Sequence, residues 1–158
     1  MASSPVRFRD PGKKPYAFLV DAVLVRCPGC GGQARIARLA SETYWWSPRR
    51  LTCVGCGLSR LNHGRVLSFS GRAAEPVDPW FGLPLWLSAR TRHGHVWAYN
   101  REHLALVRQF VQATLRERAA WYDTDVKMTA VARLPRWMVK AGNCDEILRA
   151  LGRAAAAC

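Results

Sequence analysis

Four cysteines stand in two identical spacings, Cys27-Pro28-Gly29-Cys30 and Cys53-Val54-Gly55-Cys56, with 22 residues between the pairs. Two thiolates one tight turn apart can share an edge of a metal tetrahedron, and a second such pair completes it. The turn needs small residues, because backbone N–H groups bend towards the sulfurs and positive φ is often required. Glycine sits inside or just after both pairs, at Gly29, Gly31, Gly55 and Gly57. The spacing predicts one structural Zn2+ held by Cys27, Cys30, Cys53 and Cys56. Four thiolates leave no open position for water, which argues against catalysis at the metal.

A metal held this way needs short antiparallel strands on either side of each turn. Phe18 to Arg26 is apolar and β-branched and runs into the first pair, Gln33 to Ala40 alternates in part, and Tyr44-Trp45-Trp46 to Thr52 leads into the second. Leu58 to Ser70 carries a turn at Asn62-His63-Gly64 between two strand-like runs. Trp80-Phe81-Gly82-Leu83-Pro84-Leu85-Trp86-Leu87 is dense in large apolar groups, and its glycine and proline forbid a regular helix. With Val96-Trp97-Ala98-Tyr99, and a turn at His93-Gly94-His95, it forms a further hairpin extending the same sheet.

From Asn100 the period changes. Asn100 is a good N-cap, and Leu104, Val107, Val111 and Leu115 recur at helical spacing, predicting a helix over about 101–118. A weaker helix is expected over Val126 to Leu134, ended by Pro135. A last one follows Asn143 as N-cap, with Glu146 at the capping-box position. The fold class expected is α+β: a small antiparallel β zinc ribbon extended by a hairpin, then a C-terminal region of two to three helices. The organisation expected is a flexible basic arm over 1–17, the ribbon over 18–72, and a Trp-rich hairpin and helical region over 73–158 packing on the ribbon.

At this point a resemblance emerges. The two knuckles resemble the zinc ribbons of the general transcription factor B type. Asp78 to Leu87, Trp97-Ala98-Tyr99-Asn100, Leu115-Arg116-Glu117-Arg118 and Leu134-Pro135-Arg136-Trp137-Met138 are similar to a family of bacterial zinc-ribbon-containing proteins without an established activity. The likeness spans about residues 25–152. It implies a four-cysteine ribbon followed by helices in a bacterial cytosolic protein, and supplies no substrate. In that family a Cys-Cys pair often precedes the Trp-Ala-Tyr-Asn stretch. Arg92-His93-Gly94-His95 stands there in this chain, so a second metal site does not carry over.

Charge adds a partner. The 158 residues hold 24 Lys and Arg against 11 acids, a formal net charge of +13. Residues 1–72 carry 12 basic and 3 acidic side chains, and 73–158 carry 12 and 8, so the ribbon half is the electropositive one. Twenty of the basic residues are arginine, whose planar fork suits phosphate oxygens and stacks on bases. A GC-rich coding sequence would also raise Arg and Ala together, as in the run at 154–157. The net charge still calls for a counterpart, and nucleic acid is the usual one.

The nucleic-acid contacts expected are Arg35, Arg38, Arg49, Arg50, Arg60 and Arg65 for phosphates, with Trp45 or Trp46 as a stacking platform. Adjacent tryptophans on a strand face opposite sides, so one of the two belongs to the core or lies under the C-terminal region. DNA and RNA remain equal expectations. The alternative is a protein–protein adaptor docking through the ribbon or the Trp-rich segment. His93, His95 and His63 read as turn histidines, and His103 as a neutral surface or boundary residue. No nucleophile–base pair, paired carboxylates or phosphate-cradling glycine loop is evident, so neither an enzyme nor a small-molecule substrate is expected. Cys144 and Cys158 lack a spacing partner, and no secretory h-region or membrane span is present, which places the protein in the reducing cytoplasm.

Overall fold

The computed structural model describes residues 4–39, 47–63, 75–117 and 129–157. The architecture is mixed α+β. Four strands, β2 (Val23–Arg26), β3 (Gln33–Arg38), β4 (Arg49–Thr52) and β5 (Ser59–Asn62), form an antiparallel meander in chain order. Its alternation is that of a half-buried sheet. Val23, Val25, Ala34, Ile36 and Leu51 point into the core at 0–2% exposure, and Arg26, Arg35 and Arg50 point out.

The free edge of β2 is covered rather than left open, which removes a site of unwanted pairing. Val25 bridges Leu85, and Leu24 donates its N–H to Tyr99 O while its own carbonyl accepts from Trp86 N. A separate two-stranded hairpin follows, β6 (Leu87–Thr91) and β7 (Gly94–Ala98). A hairpin does form here, but as its own sheet and from a different first strand: β6 shares only Leu87 with the expected run 80–87, and the turn is Arg92–His93, one residue earlier than predicted.

The helices pack on this second sheet. Helix α2 (Arg101–Gln112) turns Leu104, Val107 and Val111 inwards. It stops at Gln112 instead of near 118, because Leu115 leaves for a short strand, β8 (Leu115–Glu117). Asn100 caps α2 by accepting from His103 N, while its amide donates to Phe18 O and Ala22 O. One side chain thus fixes both the start of α2 and the approach to β2. Within 129–134, where the weaker helix was expected to end, the described backbone turns without forming a helix; 126–128 lie outside the described residues. Helix α3 (Arg136–Val139) and α4 (Cys144–Ala156) complete the chain, α4 burying Ile147, Ala150, Leu151 and Ala154. No capping box forms at α4: the Asn143 amide donates to Trp137 O, and Glu146 reaches to Arg92 N and the Arg92 guanidinium.

The expected arm over 1–17 contains ordered elements. Strand β1 (Arg7–Arg9) pairs in parallel with β8, and Phe8 packs edge-on against Phe110 with ring centroids 5.4 Å apart. Asp10, buried, accepts from the Thr129 hydroxyl at 2.6 Å. Pro15 opens a helix, α1 (Pro15–Val20), at the position where its fixed φ fits, and Phe18 and Leu19 are buried from it. Phe18 to Val20 is therefore helical, where a strand was expected. Among the described residues, no helix is long and apolar enough to cross a membrane.

Candidate metal centre

The two knuckles have the same backbone design. In the first, Gly31 N donates to Cys27 O at 2.9 Å and Cys27 N donates to Gly32 O at 2.7 Å. In the second, Gly57 N donates to Cys53 O and Cys53 N to Leu58 O, both at 2.9 Å. Each turn ends in a glycine of the left-handed region, Gly31 at φ 74° and Gly57 at φ 72°, which a residue with a Cβ resists. β3 and β4 are adjacent and paired, so the second knuckle returns to face the first.

The four sulfurs converge. All lie within 4.8 Å of one another, with Cys27 Sγ to Cys56 Sγ and Cys30 Sγ to Cys53 Sγ each 3.6 Å. Those distances are far beyond a disulfide bond, and the thiols are free. Cys27 and Cys53 are buried while Cys30 and Cys56 are exposed. The first cysteine of each knuckle thus faces the core and the second closes the site from outside. Gly29 and Gly55 each lie against a sulfur of the opposite knuckle: a Cβ there would stand 3.5 Å from Cys56 Sγ and 3.9 Å from Cys30 Sγ, respectively.

The electrostatics are those of a site built for a cation. The Cys30 backbone N–H, with that of Gly29, draws the Cys27 thiol down to about 6 against the opposing effect of desolvation. The Leu58 N–H pulls Cys56 the same way, yet its hydrogen bond to Cys27, desolvation, Cys30 and Cys53 together push it up to about 12. Four clustered thiols resist ionising together, and a bound cation relieves the repulsion. Soft sulfur donors in this number fit one tetrahedral metal ion. Among the described residues, these four are the only group of three or more His, Cys, Asp or Glu side chains gathered at ligand distance. His93 stacks on Trp137 and lies near Glu146, and Cys144 Sγ donates to Val111 O.

The expected phosphate contacts divide. Arg35 and Arg50 are exposed on the outer face of the sheet, diagonally across the β3–β4 pair in the register that sets Arg35 opposite Thr52 and Arg50 opposite Ala37. Arg26 lies on the same face, its guanidinium 5.6 Å from the Trp86 ring. Arg60 is exposed on the opposite side of the edge strand, opposite Leu51. Arg38 is half-buried; with Arg35, Arg101, Asp21 and Glu102 it lines a groove of about 740 Å³ between β2–β3 and the start of α2.

Arg49 corrects the expectation outright. It is 1% exposed under the face of Trp80, where desolvation and the charge of Arg38 lower its pKa, so it is no surface contact. Trp45, Trp46 and Arg65 lie outside the described residues.

One constellation was not read from the sequence. Tyr99 and His103 are buried one helical turn apart and line a cavity with Trp97 and Arg133. His103, expected at the surface or boundary, is 5% exposed, and burial holds it neutral, down to about 4. The alternation Trp97-x-Tyr99 followed by the Asn100 cap was the available signal.

No family model, no curated protein and no solved structure matches this chain.

Proposed function

We propose that this protein is a non-catalytic zinc-ribbon module that binds nucleic acid, DNA or RNA, chiefly through backbone phosphates, in a reducing cytoplasm. Zinc is the reading of the metal. A Zn–S bond of about 2.3 Å sets tetrahedral S–S edges of about 3.8 Å, close to the sulfur separations here. Cys27, Cys30, Cys53 and Cys56 would hold the ion, which contributes folding energy and stiffens the sheet.

The observation that carries the reading is the outward face of that sheet. Arg26, Arg35 and Arg50 stand on one surface, and residues 22–63 contain six arginines against a single acid, Glu42. A face of exposed guanidiniums, with Asp21 and Glu102 as carboxylates only at its margin in the groove beside Arg35, is an electrostatic footprint for phosphate. Docking through the Trp-rich segment is the weaker reading, because Trp80, Leu85 and Leu87 are 0–3% exposed and take part in the shared core.

The test is binding of the zinc-loaded protein to labelled single-stranded and duplex DNA and RNA from low to physiological salt. The expected result is an association constant falling linearly in log–log with salt. Absence of binding at low salt would refute the phosphate role and favour an acidic protein partner.

A further inference from the structure

A cavity of about 880 Å³ opens between α1, β7 and the segment 130–138, and none of the four metal-ligating cysteines lines it. That volume suits a small organic molecule. Its walls are mostly rings and apolar side chains: Trp97, Tyr99 and His103 meet there, with Tyr16 at the mouth, 54% exposed. Trp97 packs edge-on against Tyr99 at 5.0 Å and against His103 at 5.8 Å, giving a rigid aromatic wall.

The charged groups are few and share one sign, while His95 and the hydroxyls of Tyr16 and Tyr99 add further polar atoms. Lys14 and Arg133 are exposed at the lining, and no carboxylate lines the cavity among the described residues. Neither cation has an ion-pair partner among the described residues; the neighbouring Lys13 is the one paired, to Glu102. Arg133 is near enough to Tyr99 for its charge to act on the phenol.

His103 supplies the second, independent pointer to a ligand. Its Nδ1 accepts from Tyr99 N at 3.2 Å, which leaves the ring proton on Nε2. The ring is clamped between Phe18, at 4.6 Å, and Tyr99, at 5.4 Å. Nε2–H makes no hydrogen bond among the described residues, and it is not among the atoms buried away from solvent, so it opens on the cavity that His103 lines. A donor that opens on a cavity, with no partner from the fold, is free to meet an acceptor that a ligand brings.

We infer that this cavity is a binding site for a small, flat aromatic carboxylate, its ring against Trp97 and Tyr99 and its anionic group met by Arg133, Lys14 and the His103 Nε2–H. Stacked rings favour a planar apolar body over an alkyl chain, and two cations with no carboxylate among the described lining residues favour an anion over a neutral polar group.

Calorimetric titration of the metal-loaded full chain tests this with three probes: 2-naphthoate, the neutral 2-naphthalenemethanol, and decanoate. The expected result is one 2-naphthoate per chain, bound at least about tenfold more tightly than either other probe. Arg133→Gln, a surface substitution, should bring the acid and the alcohol to within about twofold of each other. Leu134→Trp, filling the cavity, should weaken all binding by about tenfold or more. Failure of 2-naphthoate to bind, equal affinity for acid and alcohol, or affinity untouched by Arg133→Gln would each overturn the inference. Should Leu134→Trp not fold, the Arg133→Gln comparison decides.

Discussion

The Arg49 guanidinium lies 4.3 Å from the centroid of the Trp80 ring, and both side chains are almost wholly buried, at 1% and 2% exposure. Arg49 Nη1 donates to Val20 O at 3.4 Å, while Nε and Nη2 are buried without a hydrogen-bond partner among the described residues. The ring face stabilises the cation by about 0.5–2 kcal/mol, and each orphaned donor costs about 1–3 kcal/mol. The penalty is the larger, so Arg49 is held by the fold at some expense. Arg49→Met, which keeps the length and removes the charge, should leave the protein at least as stable in denaturant unfolding. Arg49→Ala, which opens a cavity beside Trp80, should cost about 2–4 kcal/mol. A loss above about 2 kcal/mol in Arg49→Met would show that the charge itself is needed.

The matched knuckles make a matched prediction. Gly31→Ala and Gly57→Ala each force a Cβ into the left-handed region and should each destabilise by about 1–2 kcal/mol. Space is not the cause, since a Cβ at either position meets nothing within 4 Å. Gly152→Ala is the control: it sits in α4 with open space around it, and should stabilise by about 0.5–1 kcal/mol. Thermal unfolding of the three variants checks the signs.

Metal removal should be felt beyond the sheet that holds the metal. β2 is hydrogen-bonded on its outer edge to Trp86 and Tyr99, which lead into the hairpin and α2. Chelation, reached through the exposed Cys30 and Cys56, should therefore lower the Tm of the whole chain in one transition, and Cys30→Ser or Cys56→Ser should reproduce the loss. Metal analysis should give one zinc per chain. Equal Tm values with and without metal would contradict the structural role.

His103 gives a pH dependence with a definite sign. Burial lowers its pKa from 6.5 to about 4 in the fold, so the unfolded chain binds the proton first on acidification. Its contribution is fully present above pH 6.5 and is lost as pH falls from 6.5 towards 4, by about 3 kcal/mol in all. Thiol protonation and metal loss act in the same range, so the quantity to measure is the difference between wild type and His103→Gln. That difference should shrink in favour of the variant across this window; a flat difference would mean that His103 titrates normally.

Much of the metal site was legible because it is local. Two C-x2-C spacings with glycine at Gly31 and Gly57 determine the turns, and the cysteine spacing does not depend on distant packing. Strands β3 and β4 and the cap at Asn100 were readable for the same reason. The misreadings came from long-range partners. Pro15 to Val20 forms a helix because Asn100, some eighty residues away, holds Phe18 O, and Leu115 leaves α2 because β1 offers a strand. Glu146 had the capping-box spacing but found Arg92 instead. Arg49 reads as a surface arginine until β4 turns it under Trp80, and the cavity at Tyr99 and His103 exists only where α1, β7 and residues 130–138 meet.

The most direct test of the central proposal compares salt slopes. Wild type and Arg35→Ala/Arg50→Ala, both zinc-loaded, would be titrated with the same nucleic acid across a range of salt. Two lost phosphate contacts should reduce the slope of log K against log salt by about 1.4 on a single strand and about 1.8 on duplex, with Tm unchanged because both side chains are exposed. An unchanged slope would show that the outer face of the sheet is not the surface that meets the phosphates.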